Sequence, residues 1–234
     1  MSYQNGPRIV TNGLVLCLDA GNNKSYPGTG TTWTDLSGNG NNGTLTNGPT
    51  FSSSNKGSIA FDGTNDYVSN TLSSSLSSSF TFICMVNLQS IPNTVGFPKG
   101  FLVSEVSAYG NYWAFLGAME SKWHWGIYNG TSNPYIQSNA TPSIGVWKYI
   151  TGVRNIATNT ISLYVDGVLD SSLNHSTLSI PTYSVFTIGG QVSQPAGQNR
   201  VSSAQIALAQ VYNRALSATE VAQNYNATKG RFNL

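Results

Sequence analysis

From Thr160 to Asp166 apolar and polar side chains alternate strictly, with Ile161, Leu163 and Val165 on one face and Ser162, Tyr164 and Asp166 on the other. A period of two with one apolar face is the pattern of a half-buried strand. Residues 122–128 repeat it with Trp123, Trp125 and Ile127 inward. In residues 146–154 Lys148 and Arg154 mark the wet face, which assigns Trp147, Tyr149, Thr151 and Val153 to the core. Further strands are expected at 14–19, 57–61, 66–70, 80–88, 101–106, 112–118, 183–189 and 204–213. Between them Asn-Gly recurs at Asn5, Asn12, Asn39, Asn42, Asn47 and Asn129, and Asp-Gly at Asp62 and Asp166. Such dipeptides supply the positive φ that tight hairpin turns need. The run Thr71 to Ser79, TLSSSLSSS, reads as a surface loop.

One helix is specified near the end of the chain. Ser217 is followed three residues later by Glu220, the spacing of a capping box, and Leu216 and Val221 occupy the positions of a hydrophobic staple. Gly230 offers a left-handed stop, so the helix is expected over 218–228. Many short strands with one helix predict an all-β fold, two antiparallel sheets packed face to face. The expected organisation is an N-terminal arm at 1–12, one sandwich domain at 13–216, and a C-terminal helix and tail at 217–234.

Composition sharpens this reading. The 234 residues carry only 9% charged side chains, against about 25% in an ordinary domain, so neutral Ser, Thr and Asn supply the polarity. Net charge is +2 and the 11 basic residues are scattered, which excludes the basic stripe that phosphate neutralisation requires. No apolar run is long enough to span a bilayer as a helix. The start, MSYQNGPRIVTNG, lacks the features of a secretory signal. Cys17 and Cys84 sit in apolar strand-like runs and are expected as buried free thiols, a bridge between those strands being the alternative.

Five segments together resemble a known family: Gly13 to Ala20, Trp33 to Thr44, Gly57 to Val68, Ser162 to Gly167 and Ile206 to Ser217. In this order they resemble the laminin-G-like branch of the concanavalin A-like lectin/glucanase superfamily. The resemblance implies a two-sheet antiparallel jelly-roll sandwich. The Asn-rich style, the C-terminal helix and the signal-free start resemble virion proteins of tailed bacteriophages. That likeness implies a capsid decoration or a head or tail fibre subunit, made in the host cytoplasm and exposed on the virion surface. Its implied partners are other virion proteins, further copies of itself and a host surface glycan, with no nucleic acid and no membrane. A free or cell-surface glycan-binding adhesion module is the alternative.

Glucanases of this superfamily carry two carboxylates on one strand, flanking the scissile bond. Here Glu105 and Glu120 have no acidic neighbour within five positions and Glu220 is a cap residue, so no catalytic residue and no enzymatic activity are expected. No cofactor is required. A structural calcium is the one candidate ion: Asp62 and Asp66 bracket a turn, and Asp35 or Asp19 could approach from a neighbouring strand. Related domains often hold calcium at the sandwich rim, but positions where some carry acids are Ala207 and Gln210 here. The competing reading makes Asp62 the start of a type I′ turn and gives Asp66 backbone amides. Trp113, Trp123, Trp125 and Trp147 are expected in the core. Tyr112, His124, Tyr128 and Tyr164 have the opposite parity and, with Arg154, form a candidate strip for sugars or for a partner subunit.

Overall fold

The computed structural model describes residues 7–91, 99–105, 113–128, 134–175, 182–191 and 200–234. Strands are numbered along the chain. The first sheet runs β14 (Val168–Asn174), β13 (Thr160–Val165), β12 (Trp147–Asn155), β7 (Phe80–Leu88), β18 (Ser203–Tyr212), β5 (Ser58–Asp62) and β4 (Thr50–Ser52). β1 (Leu14–Asp19) lies end to end with β5 along one side of β18, pairing Leu18 with Ala209 while Ile59 pairs with Ile206. The second sheet runs β11 (Tyr135–Gln137), β10 (Lys122–Tyr128), β9 (Trp113–Met119), β8 (Lys99–Glu105), β15 (Tyr183–Ile188), β6 (Tyr67–Leu76), β3 (Gly43–Thr46) and β2 (Thr32–Trp33). A short ribbon joins β16 (Gly190–Gln191) to β17 (Arg200–Val201). These pairings are all antiparallel, so the expected two-sheet jelly-roll architecture is what the chain forms.

Two apolar layers result. Between the sheets lie Phe80, Phe82, Trp123, Trp125, Phe186 and the aliphatic residues around them. Trp125 meets the rings of Phe80 and Phe82 edge-on at 5.9 and 5.3 Å, the arrangement that aromatic quadrupoles favour. The other face of the first sheet is also covered: Cys17, Ile83, Met85, Trp147, Tyr149 and Tyr212 pack with Leu216, Val221 and Phe232. This double coverage corrects the parity expected for β12. Trp147, Tyr149 and Val153 belong to the outer layer, Ile150 belongs to the layer between the sheets, and Arg154, expected on a wet face, is only 5% exposed. A strand buried on both sides carries no polar face from which to read its orientation.

The C-terminal helix α1 (Ala218–Thr228) has the expected capping box. Glu220 N donates to Ser217 Oγ at 3.3 Å and Ser217 N donates to Glu220 Oε2 at 2.9 Å. Leu216 and Val221 are both buried in the outer layer, as a staple requires. The stop differs from expectation: Gly230 has no positive φ, and the chain tightens into a 3-10 turn over Lys229–Arg231. The helix and the N-terminal arm bind each other, since Val10 N donates to Asn224 Oδ1 at 2.7 Å and the Tyr212 hydroxyl donates to Val10 O at 2.8 Å. Among the described residues no helix is long and apolar enough to cross a membrane.

Two local expectations also change. Residues 71–76, read as loop, continue β6 with Leu72 and Leu76 buried; Ser74 between them is exposed, and the pairing with β15 shifts register between Thr71 and Leu76. Gly43, read as part of a turn, lies inside β3, where a Cβ would meet Val68 Cγ1 at 2.6 Å. The cysteines are free and buried, as expected. Cys17 faces the outer layer and Cys84 the layer between the sheets, so the first sheet stands between them.

Candidate functional site

β9 and β10 form a hairpin closed by Glu120 and Ser121, both left-handed at φ 50° and 59°. This is the backbone that a two-residue type I′ turn demands, reached here without glycine. The hairpin register places Tyr128 opposite Trp113, Gly126 opposite Phe115 and His124 opposite Gly117. β11 adds Tyr135 beside Gly126 and Gln137 beside His124. Trp123, Trp125, Ile127 and Ile136 point between the sheets. Alternation therefore puts Trp113, Phe115, His124, Tyr128, Tyr135 and Gln137 on the outer face.

These side chains form one aromatic surface. The Trp113 ring lies 5.9 Å from that of Tyr128 at 36° and 5.9 Å from that of Phe115 at 75°. His124 and Tyr135 stack at 5.5 Å and 18°. Gly126 makes room for this stack: a Cβ there would come within 2.8 Å of Tyr135 Cβ. Trp113 and Tyr128 are half-buried and Tyr135 is 49% exposed, so the rings reach the surface, whereas Phe115 and His124 are buried beneath. Burial pushes the His124 imidazole down to about 4, so it is neutral at neutral pH. Gln137 Nε2 donates to His124 Nε2 at 2.8 Å, which assigns the ring proton to Nδ1, and reaches Glu120 Oε2 at 3.4 Å. The result is a surface of ring faces edged by an amide and a carboxylate.

Of the expected strip, the structure brings together His124 and Tyr128. Tyr112 lies outside the described residues. Tyr164 and Arg154 are corrections: both stand in the first sheet, on β13 and β12, and are buried. Burial lowers the Arg154 guanidinium and raises the Tyr164 phenol. Trp113, assigned to the core with the other tryptophans, is instead on the outer face. Tyr135 and Gln137 escaped the sequence reading, although their alternation about Ile136 marks a short strand with polar outward positions.

The four calcium candidates do not converge. Asp35 is buried and spent: Oδ1 accepts from Cys17 N at 2.8 Å and Ser37 N at 2.9 Å, and Oδ2 from Ser37 Oγ at 2.7 Å and Asn41 N at 3.0 Å. Asp19 accepts from Gly21 N and pairs with Arg231. Asp62 and Asp66 do share a turn. Asp62 Oδ1 takes the amides of Thr64 and Asn65 at 2.7 and 3.3 Å, and Asp66 Oδ2 takes that of Asp62 at 3.1 Å. Asp62 itself is not left-handed, Gly63 alone being so at φ 81°, which rules out the type I′ turn. The Thr64 amide lowers the Asp62 carboxyl, while burial raises that of Asp66. Among the described residues no group of three or more His, Cys, Asp or Glu is placed to hold a metal. Glu220 is occupied by the cap and by Arg214, at 2.6 and 2.9 Å.

No curated protein matches the chain by sequence. Solved structures do share its fold. The binding domain of Paraclostridial Mosquitocidal Protein 1 superposes with a TM-score of 0.70 at 16% identity, over 93% of this chain and 52% of that one. The ligand-binding domain of botulinum neurotoxin serotype D, solved in complex with N-acetylneuraminic acid, gives 0.71 at 13%, over 92% and 51%. A structure from botulinum neurotoxin type C, whose passage into cells depends on interaction with two ganglioside molecules, gives 0.72 at 13%, over 94% and 52%. The chain thus spans about half the length of the structures it matches. Residues 62–222, more than half of the chain, match the Laminin_G_3 model, and the protein belongs to this family of the concanavalin A-like lectin/glucanase superfamily.

Proposed function

We propose that the chain is a non-catalytic, lectin-like recognition domain that binds a surface glycan through the outer face of β9, β10 and β11. The observation that carries this reading is the aromatic surface of Trp113, Tyr128 and Tyr135, edged by Gln137 and Glu120. A sugar ring stacks its C–H face on such rings while amide and carboxylate groups accept from its hydroxyls. The absence of enzymatic activity belongs to the same proposal; Glu120 lies on a hairpin turn beside Gln137, and Asp62 and Asp66 are held by backbone amides.

The domain's place on a virion, as a decoration or fibre subunit in a homo-oligomer, is part of the proposal. It rests on the resemblance to tailed-phage virion proteins and on a neutral polar surface whose contacts salt would screen little. Sialylated and ganglioside-type glycans are the first probes, because the toxin neighbours bind them.

A glycan array followed by calorimetry tests the site. Trp113→Ala and Tyr128→Ala are each expected to weaken binding by about 1–2 kcal/mol, roughly five- to thirtyfold, with melting temperature retained. Binding that survives both substitutions refutes the site, and release of reducing ends from any bound glycan refutes the absence of catalysis. Mass spectrometry of purified particles tests the placement; failure to find the chain there leaves a free adhesion module.

A further inference from the structure

Residues 229–234 lie over the outer face of the first sheet as a strap, anchored by Arg231 and Phe232. Arg231 reaches two segments far from it in sequence. Its Nε donates to Asn55 O at 2.8 Å, and its two terminal nitrogens donate to Asp19 Oδ1 and Gly57 O. The Phe232 ring meets that of Trp147 at 4.7 Å, and Trp147 Nε1 donates to Asn55 Oδ1 at 3.3 Å. Gly21 leaves room for the guanidinium, since a Cβ there would stand 2.4 Å from Arg231 Cζ. The pocket thus reads an arginine followed by an aromatic ring, with an acceptor for every guanidinium nitrogen.

Two features let the strap leave. Asn55 and Lys56 are both left-handed, at φ 52° and 66°, and Gly57 follows at φ 131°, where Ala20 O fills the space of a Cβ. Backbone in such sparsely populated regions persists only where its surroundings impose it. Arg231 holds the carbonyls of Asn55 and Gly57, so strain in this turn works against the strap and raises the population in which it is released. The second feature is a hinge: a Cβ at Gly230 would meet nothing within 4 Å. Beyond it, the arginine's bonds go to Asp19, Asn55 and Gly57, and none of these partners depends on which copy of the chain supplies it. Exchange by itself gains nothing, because each pocket is filled before and after. The gain comes from the faces it brings together. Beside the strap lies a concavity of about 640 Å³ with Leu14, Leu36, Leu208 and Ile9 in its walls, apolar groups that a second copy seated on this face would cover.

We infer that residues 229–234 are an exchangeable strap, and that the pocket of Asp19, Gly21, Asn55, Gly57 and Trp147 takes the Arg231 and Phe232 of a second copy, joining two chains in a dimer. The test needs neither glycan nor particle, so this inference and the glycan reading fail independently. Sedimentation of the full chain is expected to show dimers as concentration rises. Two variants then separate anchor from pocket. Arg231→Ala keeps the pocket and loses the anchor, whereas Gly21→Val keeps the anchor and fills the pocket. Each alone is expected to stay monomeric, and their mixture to form a heterodimer that excess KGRFNL peptide dissociates. Labelled KGRFNL is also expected to bind Arg231→Ala saturably, and KGAFNL at least about tenfold more weakly. Melting curves identify a variant that fails to fold, and the peptide titration keeps the test alive if Gly21→Val does. The proposal is overturned if the parent chain or the mixture stays monomeric, if either folded variant dimerises alone, or if KGRFNL binds Arg231→Ala no better than KGAFNL does.

Discussion

Gly152 lies against the Trp125 ring in the inter-sheet layer, and adding one methyl group there tests whether that layer has slack. Gly152 pairs with Phe82 on one side and Leu163 on the other. A Cβ at this position would stand 2.3 Å from Trp125 Cδ2 and 2.4 Å from Cε3, so the ring would have to retreat by about 1 Å to regain ordinary contact. It has nowhere to go. Trp125 is fully buried, Phe80 and Phe82 meet it edge-on, and its Nε1 donates to Val153 O at 3.2 Å. Overpacking of this kind costs about 1–3 kcal/mol, and a pinned aromatic ring places Gly152→Ala in the upper half of that range. For a domain of this size each kcal/mol lowers the melting temperature by roughly 2–4 °C, so a fall of about 4–12 °C is expected. Calorimetry of Gly152→Ala, Trp125→Phe and the double variant measures the effect as a cycle. The smaller ring should relieve the clash, giving a favourable coupling of at least about 1 kcal/mol. A Gly152→Ala protein that melts within 1 °C of the parent, or a cycle with no coupling, refutes the reasoning.

Arg214 and the Ser217 cap hold the Glu220 carboxyl down to about 2 from an ordinary value of 4.5, so the stabilisation it gives is complete above about pH 4.5 and is lost as pH falls toward 2. Because the pair is partly exposed, Glu220→Gln should flatten the acid limb of stability against pH by only about 1 kcal/mol, and an unaltered limb counts against the pairing. Ser217→Ala is expected to cost about 0.5–2 kcal/mol and to speed amide exchange at residues 219–221; unchanged exchange there means that the box is not formed. Thiol titration in denaturant without reductant should find two free groups, while native Cys17, pushed up to about 12 by burial, reacts slowly. Gly21→Ala would set a Cβ 2.4 Å from Arg231 Cζ, and exchange at residues 229–234 should rise as that side chain is expelled; no change would show that Arg231 does not tether the tail. Millimolar calcium should leave the melting temperature within 1 °C, since Asp62 and Asp66 lack a third acidic partner among the described residues, and a shift of several degrees would restore the ion.

Local rules read well wherever one face of an element stays wet. The alternation in β13 and the capping box of α1 are visible in sequence because each depends on residues a few positions apart. β12 misled because its second face is covered by chain from both ends, information that no window of nine residues contains. The site was half legible for the same reason. His124 and Tyr128 share one strand and kept their relation, but joining Tyr164 to them required knowing which strands are neighbours, and β13 proved to be in the other sheet. Trp113 was misplaced because a tryptophan in a strand is most economically read as core, and only the register opposite Tyr128 reveals its outward direction. The aspartates stood between two readings because a carboxylate that satisfies backbone amides and one that waits for a cation look alike in sequence, and only the structure shows the amides on Asp62 and Asp66.

β18 has a kinetic consequence. It is bonded to β7 along one side and to β1 and β5 along the other, yet among the described residues it is the last strand. At roughly 5–20 residues per second a ribosome exposes β7 on the order of ten seconds before β18 emerges to pair with it. Throughout that interval the apolar strands Leu14–Asp19 and Phe80–Leu88 lack a partner that nothing earlier in the chain can replace. Slower translation lengthens that exposure, and premature termination ahead of residue 203 releases a fragment whose first sheet lacks the strand between β7 and β5.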